Sequence, residues 1–433
     1  MYSLTIMKLK KYLLSGALLA FAANAGMAQI MPWENRTEND DSPFAETSGI
    51  AKKGQLHLED VVYGRLIQTK GAGAMNWMKD GERYSRLEPN AEGGRDVVAY
   101  RANDNKREVI IPASMFVDKQ TGKQIPVRSI SWSADNSKVL VYTNTRKVWR
   151  YDTRGDYWVL TPADGSFRQL GKGLPESSLM FAKFSPDGSK VAYVSGNNIY
   201  VENLADGKIN QITKDGNDKI VNGTFDWVYE EEFSCRDGFR WSPDSQYIAY
   251  WQSDTDGTGF FDIINNVDSI YPTFDRFPYP KAGSVNSDVK VGYVSADGGE
   301  TTWLKLPGDP RNNYIPRMEF IPGSNELFIQ QMNRQQNTNK VWIAKIGGGD
   351  PENIFTDKDA AWLETNDDVE WLDGNKYFTW LSERDGWRHL YKISRDGKTI
   401  VPITKGNFDF VELVGTDTVS YTHLRAHETD SYL

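Results

Sequence analysis

Short runs in which apolar and polar residues alternate recur along the chain, and each run is entered through the same kind of turn. The clearest copies are ISWSADNSKVLVY (130–142), FAKFSPDGSKVAYV (181–194) and FRWSPDSQYIAYW (239–251). In each, an aromatic residue closes one strand, Ser-Pro-Asp-Gly or a relative makes the turn, and an alternating run opens the next strand, which is hairpin chemistry. Weaker copies stand at MEFIPGSNELFIQQ (318–331), VEWLDGNKYFTWL (369–381) and MNWMKDGERYSRL (75–87), giving about six units. Spacings of about 50 to 80 residues suit one four-stranded antiparallel sheet per repeat. Asp206-Gly207, Asp297-Gly298 and Asp396-Gly397 supply further turns within these sheets. The pattern predicts an all-β protein, a β-propeller of four-stranded antiparallel blades, in preference to a β-sandwich, which leaves the recurrence of the aromatic-Ser-Pro-Asp unit unexplained. No amphipathic helix is expected beyond the N-terminal leader.

Outside the repeats the chain changes character. Lys8, Lys10 and Lys11 followed by an apolar stretch from Tyr12 to Ala23 read as a secretory signal, with Met7 an alternative start. Gly26-Met27-Ala28 fits a cleavage site that leaves Gln29 first, and Ala23-Asn24-Ala25 is a second option. The apolar run is shorter than the roughly 20 residues a spanning helix needs, so no stable membrane span is expected. The expected divisions are a signal peptide at 1–28, a flexible lead-in at 29–54, the propeller at 55–418 and an aberrant, non-native tail at 419–433, where alternation stops. Within the propeller, residues 255–288 are longer than a blade connection needs and form an excursion.

Charge and composition narrow the function. The formal charge is −9, and losing the three leader lysines would take it to −12, which disfavours nucleic acid as a partner and favours cationic ligands. Cys235 is the single cysteine, which excludes an intramolecular disulfide and a C-x-x-C site; its plain reading is a small half-buried side chain. The four histidines, His57, His389, His423 and His427, are scattered, so no metal site is expected.

The most informative segment is DWVYEEEFSCRDGFRWSPD. Glu230, Glu231 and Glu232 stand beside Trp227, Tyr229 and Phe233. Like charges a few ångströms apart repel, and burial deepens that cost unless a cation neutralises them; the natural partner is an ammonium group. Adjacent side chains on a strand point to opposite faces, so Glu231 and Glu232 can converge only from a helical turn or an irregular loop. The plain alternative is a solvated acidic turn.

This segment, with the following IAYWQSD and the later FPYPKAGSVN, resembles the propeller domain of the dipeptidyl peptidase IV family, in the prolyl oligopeptidase superfamily, and the likeness runs over roughly 55–415. In such enzymes an incomplete eight-bladed propeller caps an α/β-hydrolase domain. The resemblance implies that Glu231 and Glu232 hold the free N-terminus of a peptide, so that dipeptides with proline or alanine second are released. It also implies that Arg150, after Trp149 in TNTRKVWRYDTRGDYWVL, binds a carbonyl of the substrate's first residues. A guanidinium suits that task better than an ammonium. The plain alternative for Arg150 is pairing with Asp152 or Asp156, among Arg146, Lys147 and Arg154. The excursion at 255–288 corresponds to an arm used by relatives for homodimer contacts, although Phe260 and Phe261 can equally pack on their own blade.

The family's catalysis needs a serine on a G-x-S-x-G elbow with a following aspartate and histidine, and this sequence contains no G-x-S-x-G. No catalytic residue is therefore assigned, no cofactor is expected, and the chain alone is expected to be inactive and marginally stable. The reading is the substrate-gating N-terminal propeller of an exported, periplasmic or secreted bacterial dipeptidyl peptidase IV-like serine exopeptidase. The alternatives are a non-catalytic periplasmic propeller that binds peptides or proteins, and a related exopeptidase releasing tripeptides.

Overall fold

The computed structural model describes residues 73–416, so the signal, lead-in and tail assigned above lie outside the described residues. Contacts divide the chain into a unit ending at Ala113 and a second beginning at Ser114. The described part of the first unit is one antiparallel four-stranded sheet running from Asn76–Trp77 through Arg83–Pro89 and Arg95–Arg101 to Arg107–Ile111. Val97 and Val98 at its centre are fully buried.

The second unit repeats that meander five times. Its blades begin at Ser129–Trp132, Leu179–Phe184, Phe239–Trp241, Asn313–Phe320 and Trp371–Leu372. Each begins on the strand that precedes one of the recurrent turns, so the aromatic-Ser-Pro-Asp device marks the first hairpin of every blade. The Asp-Gly pairs at 206, 297 and 396 lie between third and fourth strands. The chain is an all-β propeller of four-stranded antiparallel blades, as its alternation predicts.

The turn recurs because one hydrogen-bond lattice needs these residues. Ser133 donates its hydroxyl to Asp135 at 2.6 Å and accepts from the amide of Lys138 at 3.0 Å, while Asp135 accepts from the amide of Ser137 at 3.0 Å. Ser185 with Asp187 and Ser242 with Asp244 repeat the same bonds. These bonds stabilise the ionised carboxylate and hold Asp135 well below the usual range. The fourth turn position is left-handed in each case, filled by Asn136 (φ 59°), Gly188 (φ 67°) and Ser245 (φ 62°).

The core is a series of inter-blade layers. Leu140, Tyr157 and Val159 pack on Val191 and Tyr193; Ala192, Val194 and Ile199 pack on Phe239, Ile248 and Tyr250. The layer between the blades at 239–303 and 313–358 contains Trp251, Val291, Met318 and Ile329, and the next contains Phe328, Phe355, Phe378 and Trp380. The blades at 129–169 and 179–211 also share one continuous sheet, through Arg154 opposite Met180 and Gly155 opposite Leu179.

One strand position is broken, and this positions the site. In the blade around Tyr247–Asp254, the place of the first strand is filled by two short pieces: Ile220–Asn222 pairs with Gln252–Asp254, and Phe239–Trp241 pairs with Ile248–Tyr250. Between them, residues 223–238 leave the sheet and return. Gly223 donates to the Trp251 carbonyl at 3.0 Å, Trp251 donates to Gly238 at 3.0 Å, and Gly238 donates to Gly223 at 3.0 Å. A Cβ on Gly238 would lie 2.7 Å from the Gly223 carbonyl carbon, so this crossing demands glycine.

The departing loop carries a helix, Trp227–Phe233, here α1. Of the two local forms expected for the glutamate segment, a helical turn or an irregular loop, the chain adopts the helical one; seven residues are too few for a visible apolar period, and tertiary packing holds them.

Candidate functional site

Helix α1 places the three glutamates in three different environments. Asp226 caps its N-terminus, accepting from the Tyr229 amide at 3.0 Å, and Ser234 ends it in a left-handed conformation (φ 55°). Tyr229 and Phe233, four residues apart, point into the core, and the Tyr229 hydroxyl accepts from the Ile315 amide at 2.9 Å. Arg317 donates to the Phe233 carbonyl at 2.9 Å and to Asp367 at 3.0 Å, tying the helix C-terminus to two further blades. The glutamates fill the three positions between, spread around the rest of the helix.

Glu230 is buried, with 7% of its side chain exposed. Burial pushes its carboxyl up to about 7, opposed by the nearby Arg236 guanidinium and reinforced by the Glu231 charge. Its Oε1 lies 3.6 Å from Arg236 Nε, and neither atom makes a hydrogen bond. Glu231 is half-buried and pairs through Oε2 with Arg150 Nη2 at 3.2 Å. Glu232 is exposed on the next position of the helix.

Arg150 comes from a different blade. The strands Val139–Val148 and Tyr151–Thr161 join through Trp149 and Arg150, since Val148 pairs with Tyr151. Trp149 is left-handed (φ 53°), unusual for a bulky residue, and packing holds it there. Its ring lies 5.1 Å from Trp227 and 5.5 Å from Phe277, with Trp227 4.9 Å from Phe277. Tyr151 lies under Arg236, whose guanidinium carbon is 3.5 Å from the ring centroid. Three consecutive residues of the tip therefore contact the helix or the segment just after it.

The structure thus brings Arg150 and Glu231 into direct contact. The alternative pairings of Arg150 are filled otherwise: Asp152 pairs with Arg128 at 3.3 Å, and Asp156 accepts from Asn144 at 2.7 Å. Sequence reasoning missed Glu230 as distinct from its neighbours, and Tyr151 and Arg236 altogether. The motif containing Arg236 was in view, but a cation–π contact between separate blades has no local signature. Beside the tip and helix lies a cavity of 620 Å³ lined by Trp149, Trp227, Glu230, Arg154, Arg276 and Phe277 among others. Cys235 is buried and its thiol is pushed up to about 11 by desolvation, which makes it unreactive. Among the described residues no cluster of His, Cys, Asp and Glu has metal-binding geometry, and no helix is long and apolar enough to cross a membrane.

The excursion forms a two-stranded hairpin, Phe260–Asn265 with Thr273–Pro278. Phe260, Ile264, Ile270, Tyr271 and Phe274 are exposed on it, so Phe260 does not pack into a blade core.

Blades, strand break and the Arg150–Glu231 pair define a propeller in which a guanidinium–carboxylate contact joins two blades. Residues 133–422 match the family model described as "Dipeptidyl peptidase IV (DPP IV) N-terminal region", and the chain belongs to that family. It is 28% identical over 316 residues to "Dipeptidyl peptidase 4" of Arthroderma otae, covering 69% of this chain and 40% of that protein. It is 28% identical over 327 residues to "Dipeptidyl aminopeptidase B" of Saccharomyces cerevisiae (strain ATCC 204508 / S288c), covering 72% of this chain and 38% of that protein. The solved structure of Porphyromonas gingivalis dipeptidyl peptidase 4 superposes with a TM-score of 0.75 at 27% identity, covering 84% of this chain and 51% of that one. The chain therefore spans less than half the length of these two curated relatives.

Proposed function

We propose that this chain is the substrate-recognising propeller of an exported dipeptidyl peptidase IV-like serine exopeptidase, and that Glu231 and Glu232 receive the free N-terminus of a peptide. The observation that carries this reading is the 3.2 Å contact between Arg150 and Glu231, contributed by separate blades. Without ligand the guanidinium neutralises the carboxylate. An arriving ammonium replaces that charge and makes charge-assisted hydrogen bonds to Glu231, with Glu232 one residue further along α1. The released guanidinium, 66% exposed and free to swing, then turns to the first carbonyl of the peptide. Fixing both amine and carbonyl sets how far the chain reaches, so the bond after the second residue is the one presented for cleavage. Cleavage itself is assigned to a serine nucleophile of the whole protein, with no cofactor.

The exposed apolar hairpin at 260–278 supports a homodimer contact through the excursion, because exposed patches of this kind mark association surfaces. The basic and apolar start of the chain supports export.

Calorimetric titration of the purified chain with Ala-Pro-Ala amide and with its N-acetyl form tests the clamp. The free amine is expected to bind at least roughly tenfold more tightly, the value of one lost charge-assisted contact. Equal affinity for the two peptides sinks the assignment.

A further inference from the structure

The first of the three glutamates has no place in that reading, yet it is the most buried and its environment is the most unusual. Glu230 Oε1 and Arg236 Nε face each other at 3.6 Å, and both are buried without a hydrogen bond. Buried polar atoms left in this state are costly and are normally satisfied. Arg236 in turn lies 3.5 Å over Tyr151, the residue after Arg150. The chain of contacts therefore runs from a carboxyl on α1 to the hairpin tip that carries the guanidinium.

We propose that Glu230, through Arg236 and Tyr151, is a positioning residue of the clamp: it holds the tip against α1, and it gives up a proton when a ligand ammonium settles on Glu231. The proposal rests on the clamp reading above. Its physical basis is charge. Arg236 attracts the ionised form of Glu230, Glu231 disfavours it, and Arg150 favours it from the tip. The ammonium brings a further positive charge into the site, since the guanidinium only turns from Glu231 to the peptide carbonyl; the added charge offsets the repulsion and shifts Glu230 toward ionisation, which tightens its contact with Arg236 and hence the hold on Tyr151. The other charged groups facing this region are Lys147 and Arg154 on the hairpin, Asp218 and Lys219 before the broken strand, and Asp275 and Arg276 on the excursion. Asp226 caps the same helix, and Asp237 and Arg240 lie on the far side of Arg236. Burial pushes the Glu230 carboxyl up to about 7, which puts the exchange within reach near neutrality.

The test is calorimetric titration of the chain with Ala-Pro-Ala amide in buffers of different ionisation heat. At pH 7 the wild-type chain is expected to release roughly half a proton more than Glu230→Gln, the glutamine variant serving to subtract the peptide's own amine. Between pH 6 and 8 its affinity rises roughly 3- to 8-fold more than that of the variant, the range that one charge a few ångströms away produces at intermediate to high dielectric on a group that starts near 7. Equal proton counts and parallel pH profiles overturn the proposal. A second pair addresses the tip independently of folding: Tyr151→Phe keeps the ring under Arg236 and is expected to retain wild-type affinity, whereas Tyr151→Leu loses roughly 3- to 10-fold. Equal losses in both also overturn it. If the wild-type chain fails to distinguish the free from the acetylated peptide, the clamp reading itself fails. If it distinguishes them and Glu230→Gln behaves identically, only this inference fails.

Discussion

Replacing Glu230 by glutamine is expected to stabilise the protein, by an amount that grows as pH rises from about 4.5 and is complete above about 7. In the unfolded chain this carboxyl titrates at its ordinary value of 4.5, whereas burial in the fold pushes it up to about 7. Below pH 4.5 both states are protonated and the group contributes no difference. Between 4.5 and about 7 the unfolded chain gives up the proton while the folded chain keeps it, so stability falls as pH rises. Above about 7 both are ionised and the penalty is complete, amounting to roughly 3 kcal/mol from the displacement between the two values. Only 7% of the side chain is exposed, yet the carboxyl lines the cavity beside the tip, whose solvent screens it in part, so this figure is the upper limit of the penalty. Glutamine keeps the shape without the ionisation. Asp226, also pushed up by burial, shifts stability in the same direction, but it does so in both proteins and cancels in the comparison. Urea denaturation of the chain and of Glu230→Gln at pH 5, 6, 7 and 8 reads this directly. The two midpoints are expected to be close at pH 5 and to separate progressively, with the variant the more stable at pH 8. Parallel curves, or a variant less stable at pH 8, would falsify the argument that Glu230 is a buried, costly carboxylate.

Two further outcomes follow from the packing. Arg317→Met removes the donor to the Phe233 carbonyl and to Asp367, and is expected to cost roughly 2 to 3 kcal/mol in the urea midpoint while weakening binding of the free-amine peptide; unchanged binding would show that α1 does not depend on this anchor. Ile264→Lys combined with Phe274→Lys places charge on the exposed apolar hairpin; if the proposed homodimer contact runs through this surface, sedimentation is expected to show a dimer for the parent chain and a monomer for the variant, and an unaltered profile would count against that surface.

Much of this architecture is local chemistry written along the chain. Each Ser-Pro-Asp turn satisfies its own hydrogen bonds within a few residues, and each flanking strand alternates with a period of two, so blade number, the first hairpin of each blade and the all-β class follow from sequence. The glutamate triplet was visible as an unusual run in an otherwise repetitive text, whereas Trp149-Arg150 stood out only through the family resemblance. Other features depended on residues distant in sequence. The helix that carries the glutamates is too short to announce itself and exists because Ile315 and Arg317, from another blade, hold Tyr229 and Phe233. The strand break that releases it needs Gly223 and Gly238 to close around Trp251. The differing fates of Glu230, Glu231 and Glu232, one buried, one paired and one exposed, depend on which neighbour each finds across the fold. Burial and electrostatics act through space, and three identical side chains in a row carry no record of the surroundings that will distinguish them.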